Sequence, residues 1–331
     1  TNCRRMGRRI VEMVAEDLRP SRIITKESLE NAICMDLAIG GSTNAVMHLI
    51  ALANELGIEL SLDDFERFNS SIPCIVNIRP NGKYGVDMLH RLGGVPAVFK
   101  QLGERIHKEC LSVSGQTLEE ILKHAPKTPN EVIRSVEDPM SPDGGLAILK
   151  GNLSPGGCVI RSSTVLPEMH HFIGTAKVYR SDSEAHKAII AGEAGPGNVI
   201  VVRGVGPVGA PGMVEVMEAT EAIVNLGIDD RTALITDGRF SGFCHGPIVG
   251  HVSPEAALGG NILLIEDGDR IEIDIDRRKI ELLVTEEELA ARREKAVIPE
   301  SGIQKGFMKL YAEGCLPPER GAAMQSWLGK R

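Results

Sequence analysis

The sequence predicts a mixed α/β protein in two parts: a helix-rich α/β region over residues 1–140 and a β-rich, barrel-like region with flanking helices over 141–331. Three observations carry that reading. Apolar residues recur at helical spacing through the first 125 positions. Residues 125–145 hold four prolines and no periodicity, which marks a boundary. Beyond it, short apolar runs alternate with turn signals.

In chain order, residues 6–18 carry Ile10, Val11, Val14 and Leu18 as a helical stripe. Thr25 is placed to cap a second helix with Glu27 in its first turn, ending at Gly40-Gly41. A third spans 44–56 and stops at Gly57, and Ser61 with Asp63 and Asp64 opens a fourth. Residues 74–78 read as a buried strand closed by Pro80-Asn81-Gly82. Thr117 to Glu120 is a capping box. Past the boundary, strands are predicted at 158–161, 176–179, 199–203, 233–236, 262–265, 270–275 and 279–284, and helices at 183–191, 213–226 and 286–295.

Composition narrows the function. A hydrophobic share of 42% with 25% charged residues is that of an ordinary globular chain. The net charge of −8 argues against nucleic-acid and anionic-membrane partners, which need a basic face. No apolar run is long enough for a membrane span, and the basic start at Arg4 to Arg9 lacks the apolar stretch of a signal peptide, so a cytoplasmic location is expected. Cys3, Cys34, Cys74, Cys110, Cys158, Cys244 and Cys315 are far apart with no C-x-x-C pair, as expected of reduced thiols rather than disulfides or a structural zinc. Glycine, at 36 of 331 residues, is abundant and clustered.

Three of those clusters could carry chemistry. Gly40-Gly41-Ser42-Thr43-Asn44 lies between two helices and exposes backbone N–H groups at a helix start, a seat for a carboxylate or phosphate; a plain capped turn is the alternative. Residues 203–215 follow a predicted strand, and Gly204, Gly206 and Gly209 satisfy G-x-G-x-x-G, with Asp237 at the end of the next strand. Against a dinucleotide site, Pro207 and Pro211 interrupt the expected helix and each removes an N–H that would cradle pyrophosphate. Fluorescence of the single Trp327 would report any NAD binding. In residues 236–255, Asp237, Arg239, Ser241, His245 and His251 form either a site or a capped turn with an ion pair.

Taken together and in order, GGSTN (40–44), PNGKYGVDMLHRLGGV (80–95), LSVSGQTL (111–118), GPVGAPGMVE (206–215), TDGRFSG (236–242) and GHVSPEAALGG (250–260) resemble the dihydroxy-acid and 6-phosphogluconate dehydratase family. The resemblance runs from residue 7 to past 290. It implies a hydro-lyase that turns a 2,3-dihydroxycarboxylate into a 2-keto acid, with an iron–sulfur cluster, of 2Fe-2S type, acting as Lewis acid on the departing hydroxyl. It also implies Mg²⁺ at the carboxylate end of a small dihydroxy-acid substrate. Carried over residue by residue, Ser241 becomes the base and Glu215 a Mg²⁺ ligand. Ser42, Thr43, Asn44, Arg239 and Gly242 become substrate-binding candidates, and a homo-oligomer is expected.

The sequence also departs from the pattern. The chain opens almost inside a helix, without an initiator methionine, and none of its cysteines matches a cluster-ligand position. The expectation is therefore of a truncated N-terminal α/β domain, with most cofactor ligands outside the chain and an inactive or non-catalytic fragment if it stands alone. TDGRFSG with GHVSPEA leans towards the branched-chain amino-acid enzyme, whereas Val205 leans towards the sugar-acid (aldonate) dehydratases.

Overall fold

The computed structural model describes residues 2–126, 128–242, 244–299 and 301–325; Trp327 lies outside them. The helices are, in order, α1 (Asn2–Ala15), α2 (Pro20–Ile23), α3 (Lys26–Ala38), α4 (Thr43–Glu55), α5 (Leu62–Asn69), α6 (Val86–Arg91), α7 (Gly94–Leu102), α8 (Leu118–Lys123), α9 (Asp182–Ile190), α10 (Glu218–Asn225), α11 (Glu286–Lys295) and α12 (Phe307–Gly314). None among the described residues is long and apolar enough to cross a membrane. Two compact units divide the chain: Thr1–Gly40 with Leu56–Leu60 and Arg67–Gly144, and Gly41–Glu55 with Ser61–Glu66 and Gly145–Arg331.

The first unit is helical and is organised by local hydrogen bonds. Thr25 caps α3, its side chain accepting from Ser28 N–H while the Ser28 hydroxyl reaches back to Thr25 N–H. Thr117 and Glu120 do the same for α8. Between these helices the buried Asn31 pairs its amide with both backbone groups of His107, at 2.8 Å each. The stripe read on α1 does not face a core: Ile10, Val11 and Val14 are exposed, and Met13 is the helix's buried residue. The predicted strand at 74–78 makes only isolated bridges, Cys74 to Ser141 and Val76 to Ile133. Ile75 and Val76 instead donate to the carbonyl of Ala38, at the end of α3, so no ladder forms.

The second unit is built on β1 (Ala147–Leu149), β2 (Gly157–Ile160), β3 (His171–Tyr179), β4 (Asn198–Val202), β5 (Glu215–Val216), β6 (Ala233–Thr236), β7 (Arg239–Phe240), β8 (Ile248–Ser253), β9 (Arg270–Asp274) and β10 (Lys279–Leu282). Eight of them form one mixed sheet in the order β1-β2-β8-β6-β4-β3-β9-β10, with β3, β4, β6 and β8 parallel. The sheet curls until its edges nearly meet. Lys150 N–H donates to Arg278 and Ile280 N–H to Lys150, while the Asn152 amide pairs with the backbone of Leu282. Gly151 is needed at this seam, because a Cβ there would lie 2.0 Å from the Ile280 carbonyl oxygen.

Alternation sorts the strand residues. Val199, Val201, Ala233, Ile235 and Val249 point into the barrel core, and Ile200, Val202, Leu234 and Ile248 into a second cluster with α9 and α10. Both faces are buried, which is why these strands read as unbroken apolar runs. Helices α9 and α10 supply the crossovers that parallel strands require. Asp182 at the start of α9 accepts from Met217, Glu218 and Ala219 N–H and so caps α10.

Two predicted elements of this unit are corrected. Residues 262–264 belong to a 3₁₀ turn (Asn261–Leu264) that Ile265 closes, not to a strand, because the half-buried Arg203 guanidinium takes the carbonyls of Ile262, Leu263 and Ile265. The predicted helix at 213–226 is split: Glu215 and Val216 pair with β7, and the helix starts only at Glu218. Strands β1 and β8 were not expected; Gly250-His251 interrupts the apolar pattern of β8.

Candidate active site

Strands β4 and β6 are parallel neighbours in register, Val202 beside Thr236, so the loops that follow them leave from the same end of the sheet. Crevices at the carboxyl ends of parallel strands are where such sheets bind ligands. The first loop is held by two buried carboxylates. Asp237 accepts from Gly204 N–H and Val205 N–H, each at 3.0 Å, and from Ala256 N–H at 2.9 Å. Burial raises its pKa, and those three hydrogen bonds oppose the rise. Glu255 accepts from Val208 and Gly209 N–H, both at 2.9 Å, and burial pushes its carboxyl up to about 7. A Cβ on Gly206 would lie 2.6 Å from the Glu255 carboxylate, so the loop closes on it only as glycine. Four N–H groups of the G-x-G-x-x-G stretch are thus taken by side chains of the same chain, and a pyrophosphate would have to displace them.

The second loop meets the first through a two-stranded parallel ribbon. Glu215 pairs with Arg239 and Val216 with Phe240, so the ends of two sequence motifs lie side by side, with Ser241 the next residue. The Arg239 Nε donates to Met213 at 3.0 Å and its Nη1 stands 3.6 Å from the Glu215 carboxylate, a loose pair whose side chains are 24% and 36% exposed. Phe240 is turned into the helix-side cluster and anchors the ribbon. Ser241 is buried.

The GGSTN turn is drawn to the same place. Arg161, nearly buried at the end of β2, donates to the Gly242 carbonyl at 2.6 Å and to the Gly41 carbonyl. Ser42 accepts from Ala45 N–H as the cap of α4, Thr43 is buried, and the Asn44 Oδ1 is buried with no partner among the described residues. One turn on, Met47 packs on Met213, two residues before Glu215. Ser42, Thr43, Asn44, Glu215, Arg239, Ser241 and Gly242 therefore lie on one set of loops within the second unit. Arg161, which joins two of these turns, was not singled out in the sequence, where its only signal was a charge ending an apolar strand. Glu255 was read only as part of GHVSPEAALGG, and its bracing of the first loop was not foreseen.

Metal-binding capacity is limited. Glu215 offers a partly exposed, weakly paired carboxylate, which suits a hard cation such as Mg²⁺. Asp237 and Glu255 have their oxygens committed to backbone. Among the described residues, the one group of three ligands within reach of each other is His171, Glu272 and Asp274, on β3 and β9. The cysteines do not fit an iron–sulfur cluster, which needs thiolates in a group. Burial pushes the thiols of Cys34, Cys158 and Cys244 up to about 12, and no such group forms.

A barrel-like sheet with braced glycine loops at its parallel-strand ends offers a seat for a small ligand. Comparison with known proteins gives the family. Residues 131–322 match the family described as "Dihydroxy-acid/6-phosphogluconate dehydratase C-terminal", and residues 1–121 its N-terminal counterpart. The chain belongs to that family. A dihydroxy-acid dehydratase from Ignicoccus hospitalis is 50% identical over 96% of the chain, covering 58% of that relative. Those from Archaeoglobus fulgidus and Methanococcus aeolicus are 48% and 44% identical over 96% and 97% of the chain, again 58% of each relative. The chain thus spans a little over half the length of these relatives.

Proposed function

We propose that the chain serves a hydro-lyase converting 2,3-dihydroxyisovalerate, a 2,3-dihydroxycarboxylate, into its 2-keto acid in branched-chain amino-acid biosynthesis. The observation that carries this reading is the β5–β7 ribbon, which pairs Glu215 with Arg239, two residues before Ser241, on loops of a family whose similar members carry that name.

The residues divide the work. Ser241 removes the C2 proton; the C–H electrons form the C2–C3 double bond as the C3 hydroxyl leaves, the departing oxygen takes the proton that Ser241 has gained and becomes water, and the enol moves its hydroxyl proton to C3 to give the 2-keto acid. A serine hydroxyl acts as a base only when its proton is already drawn away. Arg161, bonded to the adjacent Gly242, places a permanent cation over this turn, and its charge lowers the neighbouring Cys244 thiol against the rise from burial. Glu215 would hold Mg²⁺, which when bound grips the carboxylate end and lowers nearby pKa values. Arg239 neutralises Glu215 and orients it. The cysteines of this chain do not hold a cluster, so no step is routed through one. A homo-oligomeric assembly is carried from the resemblance alone and is read by light scattering.

The test is 2-keto acid formation by the chain extended to the length of its relatives and loaded with cluster and Mg²⁺, from 2,3-dihydroxyisovalerate and from a panel of aldonic acids, with Ser241→Ala beside it. Turnover of the dihydroxy acid that vanishes in Ser241→Ala supports the reading. Preference for an aldonate moves it to the sugar-acid branch, which Val205 favours. No turnover of any of them overturns it.

A further inference from the structure

We propose that His251 is a substrate-binding residue of this site, its Nε2 a preformed hydrogen-bond donor to a carboxylate oxygen of the ligand. The inference rests on the dehydratase reading and gives a role to a histidine that the sequence only grouped with other polar residues of 236–255 and to which the family resemblance assigned none.

His251 is 4% exposed, and its Nε2 is buried with no partner among the described residues. Buried polar nitrogens are almost always hydrogen-bonded, so one left open at a ligand site points to a partner that arrives from outside the chain. Its backbone is also unusual. With φ 58°, His251 sits in the left-handed region that few non-glycine residues adopt, and the fold holds it there by a 2.9 Å bond from its N–H to Gly238. That bond ties the residue to the TDGRFSG segment, one position from Arg239.

The surroundings specify the ligand class. Burial first, and then the charges of Arg239, from β7, and His48, from α4, push the pKa of His251 down to about 3. A neutral imidazole donates its N–H without adding a buried charge. The Arg239 guanidinium favours an anion. Asn44 lies one turn before His48 on the same face of α4, and its unpartnered Oδ1 is an acceptor for a hydroxyl. A donor for a carboxylate and an acceptor for a hydroxyl match a 2-hydroxycarboxylate.

The test compares wild type, His251→Asn and His251→Gln in the cofactor-loaded enzyme. Asparagine tolerates the left-handed backbone but its amide stops short of Nε2, whereas glutamine reaches that position. His251→Asn is expected to raise KM by roughly 10-fold or more with a much smaller change in kcat, and His251→Gln to recover part of the loss. Calorimetry of dihydroxy-acid binding to Ser241→Ala, with and without His251→Asn, should show the same loss of affinity. Independently of either variant's folding, ¹⁵N spectra of histidine-labelled Ser241→Ala should show the Nε2 of His251 shift on adding the dihydroxy acid. An unchanged KM, affinity and Nε2 signal in an enzyme that turns over overturns the inference and leaves the dehydratase reading standing. A wild type that neither binds nor converts the dihydroxy acid overturns both.

Discussion

The loop at 203–212 and the ribbon formed by β5 and β7 lie close in sequence and are rich in the same residue types, yet their carboxylates behave in opposite ways. Asp237 and Glu255 are buried, and each has both oxygens bonded to backbone N–H groups, so they fix the loop's shape. Glu215 is partly open, with one cation at 3.6 Å and no backbone N–H bonded to its carboxylate among the described residues. The same functional group is structural in one region and available in the other, and what separates them is the number of N–H groups facing each. A carboxylate in a glycine-rich motif is thus no evidence of chemistry until its partners are counted.

The comparison can be broken at its sharpest point first. Glu215→Gln and Ser241→Ala should each lower kcat by on the order of 10³-fold or more, with thermal midpoints close to wild type; a comparable loss of stability would place these residues with the structural group. Asp237→Ala strands three buried N–H groups and should cost about 3 kcal/mol or more, read from the urea midpoint. Arg161→Met removes the link between the Gly41 and Gly242 carbonyls; we expect about 2 kcal/mol of destabilisation together with a fall in turnover.

Acid and base act on the braced loop in opposite senses. The folded-state value of Glu255, about 7, lies above its ordinary 4.5, so its contribution is present below pH 4.5 and is lost as pH rises through 7. That of His251, about 3, lies below its ordinary 6.5, so its contribution is present above pH 6.5 and is lost as pH falls towards 3. Between pH 4.5 and 6.5 the two slopes oppose, each by at most about 1.4 kcal/mol per pH unit. Thermal melts across that window should show stability rising with pH more steeply in Glu255→Gln than in wild type, and less steeply in His251→Asn. Parallel curves would mean that these groups are not buried as described. The smallest effect belongs to the helical unit, where Thr117→Ala should cost about 1 kcal/mol in the same melts without changing turnover.

The three motif turns were legible in the sequence because turn chemistry is local. GGSTN, GPVGAPGMVE and TDGRFSG were singled out for their glycines and hydroxyls, and they do converge. The error at 213–226 has a physical origin. Residues with acceptable helical spacing were taken by a strand partner, Arg239, lying more than twenty positions away. The strand misread at 262–265 is of the same kind, its carbonyls claimed by Arg203.

By itself the sequence determined the apolar runs of several barrel strands, the Thr25 cap of α3, the capping box of α8 and the identity of the motif turns. Each depends on side chains within a few positions of one another. Only the tertiary structure decided that the Rossmann-like glycines would be closed by Asp237 and Glu255, that Arg161 would join Gly41 to Gly242, and that His251 would be left with an open nitrogen. Those outcomes depend on which buried donors and acceptors meet across long stretches of chain, and burial turns each unmet one into a cost that local pattern cannot foresee.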